Sequence, residues 1–196
     1  MVHVSPASAK VMMRAEMRAH RRALAEKAPD AARKAAALLP LEALPPFRVV
    51  SGYRAQGAEL DPGPLMRRLA AEGAKLALPA ALSRDDPLIF RAWRPEAALV
   101  PDAFGIPAPT EEAEELVPDL VIAPVLAFDR QGRRLGQGAG HYDRTLANLR
   151  AGGRVFVLGL AYAGQETAEV PGEPHDERLD AIVTETGYIE VRKDKS

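Results

Sequence analysis

Two stretches of the chain carry no polar side chain on either face, and they constrain its fold more than any other feature. Residues 120–123 read LVIA and are followed by Pro124, and residues 155–160 read VFVLGL. A strand that is apolar on both faces belongs in the interior of a parallel sheet that is covered on both sides. The two stretches therefore predict interior strands of a buried, mainly parallel sheet.

The rest of the chain alternates helical patterns with short strands. Helices are predicted at 8–26, 30–39, 62–72 and 140–149, and further strands at 48–53, 75–78, 88–93, 181–184 and 188–191. Ser8 is the expected N-cap of the first helix. The alternation predicts an α/β fold, a three-layer sandwich in one domain over residues 1–196, with flexible tails at 1–7 and 193–196.

Charge and composition exclude several classes of function. The chain has 26 basic and 27 acidic residues and a net charge of −1, so no overall field would attract nucleic acid or an anionic membrane. It has no cysteine, which excludes thiolate catalysis and thiolate-bound metals. Charged residues interrupt the first 20 positions, and no apolar run approaches the roughly 18 residues of a membrane span. We expect a cytoplasmic monomer whose partners are small molecules.

The segment 129–146, DRQGRRLGQGAGHYDRTL, is the most informative about function. Its glycines alternate through 136–140 and lead into a predicted helix, so backbone N–H groups and the helix dipole could face an anion. Arg133 and Arg134 flank the loop and could pair with phosphate oxygens. Asp143 could hold Mg²⁺ bound to those phosphates. The segment is neither a P-loop nor a dinucleotide fingerprint, and the residues alone also permit a flexible turn with solvated arginines.

Two other charged groups are candidates for the same chemistry. Lys10, Arg14 and Arg18 lie one helical turn apart and could face a polyphosphate, although such stripes are commonly a solvated helix face. Asp176 and Asp180 lie close to a predicted strand and could help to bind a hard cation, although they also suit an acidic surface loop.

Three single residues complete the candidates. Glu59 follows a predicted strand and could accept hydrogen bonds from the N–H groups of a substrate, or it could be an exposed loop acid. Trp93, the only tryptophan, suits either the core or a pocket wall. His141 begins a predicted helix, where a histidine more often caps or packs than acts as a base.

These residues together resemble the signature of the 5-formyltetrahydrofolate cyclo-ligases, also called methenyltetrahydrofolate synthetases. The run 119–129 and the loop through Tyr142-Asp143-Arg144 carry the most specific part of the resemblance, and FGIPAP at 104–109 and the block at 159–185 extend it. The first helix resembles the opening helix of the family through Lys10, Arg14, Arg18 and Arg21. The resemblance spans nearly the whole chain and implies a CoA-transferase-like (NagB/RpiA-like) α/β fold.

The resemblance also implies a set of site residues. ATP would be bound by Lys10, Arg14, Arg134, Leu135, Gly136, Gln137, Gly138, Ala139, Gly140, His141 and Tyr142. The folate would be bound by Glu59, Gln137, Gly138, Gly140, His141 and Trp93. Mg²⁺ would be held by Asp143 and Asp176, and Lys10, Arg134 and Tyr142 would act in catalysis.

The implied reaction begins with phosphorylation of the formyl oxygen of 5-formyltetrahydrofolate by ATP. Attack by N10 and loss of phosphate then give 5,10-methenyltetrahydrofolate, without a protein nucleophile. Two positions depart from the family pattern: Gln137 stands where Arg, Lys or Tyr is usual, and His141 where Tyr or Phe is usual. The alternative function is a non-catalytic module on the same fold that binds folate or a nucleotide, or one that binds RNA, which the balanced net charge disfavours.

Overall fold

The computed structural model describes residues 6–191. The helices are α1 (Pro6–Lys27), α2 (Ala31–Leu38), α3 (Gly63–Ala71) and α4 (His141–Gly152). The strands are β1 (Val49–Ser51), β2 (Lys75–Ala80), β3 (Ile89–Ala92), β4 (Leu99–Pro101), β5 (Pro107–Pro109), β6 (Leu120–Pro124), β7 (Ala127–Phe128), β8 (Arg134–Leu135), β9 (Phe156–Leu160), β10 (Ala181–Thr184) and β11 (Gly187–Glu190). Short 3₁₀ turns lie at Leu41–Ala43 and Ala163–Gln165.

Seven of the strands form one sheet in the order β11-β10-β9-β6-β1-β2-β3. The five inner strands run parallel, and the two edge strands pair antiparallel with their neighbours. The two fully apolar stretches lie side by side, with Leu120 opposite Phe156 and Pro124 opposite Leu160. The prediction of a mainly parallel sheet with these strands in its interior is confirmed.

Helices cover both faces of the sheet, as the apolar strands require. Leu120 and Ile122 pack in one buried cluster with residues of α2 and α3. Val121 and Ala123 point to the other face and pack in a second cluster with Leu146 of α4. Because neighbouring residues of a strand face opposite sides, a single apolar strand contributes to both clusters. The predicted three-layer α/β sandwich is confirmed.

The first helix differs from its prediction at the N-terminus. It begins at Pro6, two residues before the predicted N-cap Ser8, so that cap assignment is wrong. The predicted flexible tails otherwise lie outside the described residues. Neither α1 nor any other helix within residues 6–191 is long and apolar enough to cross a membrane.

Two small antiparallel hairpins, β4–β5 and β7–β8, were not predicted. Each of their strands is only two or three residues long. The strands β4 and β5 also contain three prolines, which argue against a strand in the sequence. The β7–β8 hairpin follows β6 directly and shapes the loop beyond the sheet. Asp129 fixes its turn, since its buried carboxylate accepts hydrogen bonds from the backbone N–H groups of Gln131, Arg133 and Val170.

Candidate functional site

A cavity of about 480 Å³ lies beyond the carboxyl ends of the inner strands. Tyr53 after β1, Ala81 after β2 and Val125 after β6 form part of its wall. One side of α1 and the glycine loop at 136–140 form another part. This is the position at which parallel α/β sheets commonly bind their ligands.

The cavity brings together every site residue that the family resemblance implies except Trp93. These residues are Lys10, Arg14, Glu59, Arg134, Leu135, Gly136, Gln137, Gly138, Ala139, Gly140, His141, Tyr142, Asp143 and Asp176. They come from α1, the loop after β1, the loop after β8, the start of α4 and the loop before β10. Side chains far apart in sequence therefore share one enclosed volume.

Four residues that the sequence suggested do not line the cavity: Trp93, Asp180, Arg133 and Arg18, whose Nε donates to the Gln137 side chain. Trp93 follows β3 and packs against the core cluster on the side of α2 and α3, so its predicted contact with the substrate is not favoured. Asp180 accepts hydrogen bonds from the Val157 N–H and from Arg150. Its carboxylate therefore stabilises the sheet and does not contact a ligand in the cavity. Arg133 pairs with Glu169 outside this cavity.

Lys10 is the most enclosed cation of the α1 wall. Its Nζ lies 2.7 Å from Glu173 Oε2 and 2.6 Å from Asp176 Oδ2, and 7% of the side chain is exposed. Burial lowers the pKa of the ammonium, but hydrogen bonds and charge attraction from Asp176 and Glu173 outweigh burial and raise it above 10.5. Lys10 is therefore held in its charged form at the cavity wall.

Glu173, His175 and Asp176 present ligand atoms within 4.8 Å of one another beside Lys10. Burial raises the pKa of Asp176, but hydrogen bonds from Lys10 and from the Glu173 N–H outweigh it and leave that pKa below 3.8. Sequence reasoning missed Glu173, since no motif distinguishes it from the other acids of this loop. The group can hold a cation, and the Lys10 ammonium lies against it.

The glycine loop is held against α1 by Arg14, whose Nε donates to the Gly136 carbonyl at 3.0 Å. Gly138 has a φ of 110°, and a Cβ there would lie 3.3 Å from the Arg14 guanidinium carbon. Gly140 has a φ of 71° and is the N-cap of α4. Both positions therefore favour glycine, which lets the loop backbone approach a ligand closely.

Arg134 and Asp143 form an ion pair in the cavity wall, in which Arg134 is buried and Asp143 is partly buried. Arg134 Nη2 donates to Asp143 Oδ1 at 2.7 Å, and the Glu177 N–H donates to the same oxygen at 3.0 Å. The Arg134 guanidinium also lies 5.9 Å from the centre of the Tyr142 ring. Arg134 Nε and the Tyr142 hydroxyl are buried and have no hydrogen-bond partner within residues 6–191. Two unsatisfied donors in one wall are well suited to ligand oxygens.

Glu59 lies at the end of a short polar network. Its Oε2 accepts from the Gln56 N–H at 2.9 Å, and its Oε1 accepts from Gln137 Nε2 at 3.3 Å. The Gln137 side-chain oxygen accepts in turn from Arg18 Nε at 3.1 Å. Gln137 thus contacts an acid and a cation at once, and a Lys or Arg at this position would face Arg18 with the same charge. This gives a physical reason for the departure at position 137.

His141 connects the start of α4 with the loop after β2. Its Nε2 lies 3.1 Å from the Ser83 carbonyl, and its ring meets the edge of Phe104 with centroids 5.2 Å apart. Phe104 also lines the cavity and is half exposed. The aromatic pair forms part of the cavity lining, and the histidine packs against Phe104.

The tyrosines of the site predict how the protein behaves in alkali. Burial raises the pKa of Tyr53 and of Tyr142 far above 10.0, and the charge of Glu59 adds to both shifts. These hydroxyls keep their protons in the folded state while the unfolded chain loses them near pH 10, so the free energy of unfolding falls as the pH rises above 10.0. We expect phenolate absorbance from these two residues to appear only together with loss of the circular dichroism signal. Full titration of all four tyrosines with an unchanged dichroism spectrum would contradict this assignment.

Comparison with known proteins identifies relatives among the 5-formyltetrahydrofolate cyclo-ligases. A model of the 5-formyltetrahydrofolate cyclo-ligase family matches residues 6–185. The chain is 35% identical to the 5-formyltetrahydrofolate cyclo-ligase of Mycolicibacterium smegmatis over 74% of this chain and 78% of the relative, and 35% identical to that of Escherichia coli over 64% and 71%. The solved structure of Aquifex aeolicus 5,10-methenyltetrahydrofolate synthetase matches with a TM-score of 0.77 and 28% identity, over 95% of both chains. The family match includes every residue of the cavity wall described above.

Proposed function

The chain belongs to the 5-formyltetrahydrofolate cyclo-ligase family, and on this basis we propose that it uses ATP to close 5-formyltetrahydrofolate into 5,10-methenyltetrahydrofolate. ADP and phosphate are the other products. The reaction forms a C–N bond at the cost of one ATP, which makes the protein a ligase.

One observation supports the proposal most directly: the cavity joins a wall suited to phosphate with a wall suited to a ring bearing N–H groups. Lys10, Arg14 and Arg134 bring positive charge to the cavity that the glycine loop also lines. Glu59 brings a carboxylate to the same cavity from the loop after β1. A reaction between a nucleotide and a second substrate requires both kinds of wall within one enclosed space.

The cationic wall is the proposed binding site of the triphosphate. Guanidinium and ammonium groups hold phosphate oxygens through charge-assisted hydrogen bonds. Backbone N–H groups of the glycine loop add further donors, and the start of α4 adds its dipole. The unsatisfied Arg134 Nε would gain a partner when a phosphate binds.

The acidic wall is the proposed binding site of the folate. The Glu59 carboxylate would accept hydrogen bonds from N–H groups of the pterin ring. The Tyr142 hydroxyl, buried and without a partner within residues 6–191, would donate to an oxygen of either substrate. Its raised pKa keeps it a donor over the whole physiological range.

The carboxylates of the cavity fit a hard divalent cation. Asp143 and Asp176 both line the cavity, with Glu173 beside Asp176, and oxygen ligands of this kind suit Mg²⁺. Asp143 and Asp176 are the proposed holders of Mg²⁺, which when bound would neutralise part of the charge on the triphosphate. Since both contacts of Asp143 fall on Oδ1, the ion pair with Arg134 leaves its second oxygen to face a ligand.

The proposed chemistry needs no covalent bond to the protein. The formyl oxygen is a poor leaving group, so transfer of the γ-phosphoryl group from ATP to that oxygen makes it part of a phosphate ester. N10 then attacks the formyl carbon, the bond from carbon to oxygen breaks, phosphate departs and the N10 proton passes to solvent. The side chains contribute in-line positioning and stabilise the charge of the transferring group. Lys10 and Arg134 are the proposed groups for this stabilisation.

The decisive experiment follows the absorbance of methenyltetrahydrofolate with purified protein. We expect a rise only when protein, Mg-ATP and 5-formyltetrahydrofolate are all present, with one ADP released for each ring closed. ATP consumption without the formylated folate would count against the proposal. Folate binding without any rise would instead identify a non-catalytic binding protein.

A further inference from the structure

Arg21 is a buried cation of α1 that lies behind the cavity rather than in its wall. Its side chain is 7% exposed, and its Nη1 lies 3.6 Å from Glu59 Oε1, whose side chain is also 7% exposed. Arg21 Nε and Nη1 have no hydrogen-bond partner within the described range 6–191. A buried guanidinium is costly unless it is paired. Its ion pair with Glu59 is therefore the feature that accounts for its position.

Resting on the proposed function, we infer that Arg21 is the positioning residue for Glu59, and through it for the folate ring. The other two contacts of Glu59 come from neutral donors, the Gln56 N–H and the Gln137 amide. Arg21 supplies the positive charge within 4 Å. It therefore holds the carboxylate at the cavity, where its lone pairs can accept hydrogen bonds from the N–H groups of a pterin.

The burial of both partners makes this pair more than a surface contact. Solvent and salt screen a buried pair far less than an exposed one. The 3.6 Å separation is an ionic contact longer than a hydrogen bond, so Arg21 does not use up the lone pairs of Glu59 Oε1. The Glu59 carboxylate is thus paired with Arg21 on the side away from the cavity, and its oxygens can still accept hydrogen bonds from a ligand in the cavity.

The test measures binding of each substrate separately, without turnover. Because truncating one partner of a buried charge pair is costly, we expect Arg21→Met to raise the Kd of 5-formyltetrahydrofolate by about tenfold or more. The Kd of Mg-ATP should stay within about twofold, since Arg21 does not line the cavity near the glycine loop. Arg22→Met is the matched control, because Arg22 is the next residue of the same helix and is exposed. It should change neither Kd.

A second pair of variants separates positioning from folding. Arg21→Lys keeps the charge and should recover part of the folate affinity. In a Glu59→Gln background, Arg21→Met should weaken folate binding by no more than about twofold, since the group it positions is gone. The same double change also removes the unpaired buried charge, so it remains measurable if Arg21→Met alone does not fold.

Two outcomes would overturn the inference. One is an equal loss of folate affinity from Arg21→Met with and without Glu59, and the other is an equal loss of ATP and folate affinity. The proposed function fails differently, since in that case the unaltered protein itself would not bind 5-formyltetrahydrofolate.

Discussion

We expect Lys10→Met to lower the turnover of 5-formyltetrahydrofolate by about 10²–10³-fold, because the loss of one well-placed hydrogen-bond donor to a transition state typically lowers a rate by about this factor. Methionine keeps most of the length and apolar stem of the side chain but removes the ammonium that faces the cavity. The steady-state rate of methenyltetrahydrofolate formation at saturating Mg-ATP measures the effect. A loss confined to the KM for ATP would assign Lys10 to ground-state binding alone.

The fold should survive this change. Lys10→Met breaks the contacts with Glu173 and Asp176, but those two side chains are 33% and 20% exposed and can be solvated. We expect a loss of about 1–3 kcal/mol in the free energy of unfolding, against a typical total of about 5–15 kcal/mol. Lys27→Met is the matched control, since Lys27 is an exposed residue in the last turn of the same helix. Turnover of Lys10→Met equal to that of the control would remove Lys10 from the site.

The central sheet could be predicted because its strands carry their own signal. Residues 120–123 and 155–160 are apolar on both faces. Such a stretch predicts a strand of a parallel sheet that is buried on both faces. The β7–β8 hairpin has two residues in each strand, so it has no periodicity to detect. Its turn was predictable from Asp129 and Gly132, whose N–H donates to the Asp129 carbonyl.

The site was predictable to the extent that a motif carries it. The glycine loop, Tyr142 and Asp143 are consecutive in sequence, and the structure brings Lys10 and Glu59 to the same cavity from distant segments. Glu173 and the pairing of Arg21 with Glu59 have no such signal, since each depends on which loop lies opposite α1 in space. Trp93 carries no decisive signal either, because its size and polar N–H suit a pocket wall and the core equally well, and here it packs against the core.

Asp143→Asn should lower both stability and turnover, because Arg134 depends on this carboxylate. The Arg134 side chain is 4% exposed and its Nη2 donates to Asp143 Oδ1 at 2.7 Å. Breaking a buried pair from one side leaves an uncompensated charge, so we expect the free energy of unfolding to fall by about 3–5 kcal/mol. Chemical denaturation measures this loss. Glu166→Gln is the control, since its pair with Arg130 is more exposed and should change the free energy of unfolding far less.

The double variant Asp143→Asn with Arg134→Met separates the two effects. Removing both charges eliminates the unpaired guanidinium, so most of the lost stability should return. Turnover should remain about 10²–10³-fold below that of the unaltered protein, because a donor to the transferring phosphoryl group is still missing. Recovery of turnover together with stability would mean that the Arg134–Asp143 pair only supports the fold. Recovery of stability alone would place the pair in the chemistry, because only the proposed catalytic role requires the charges themselves.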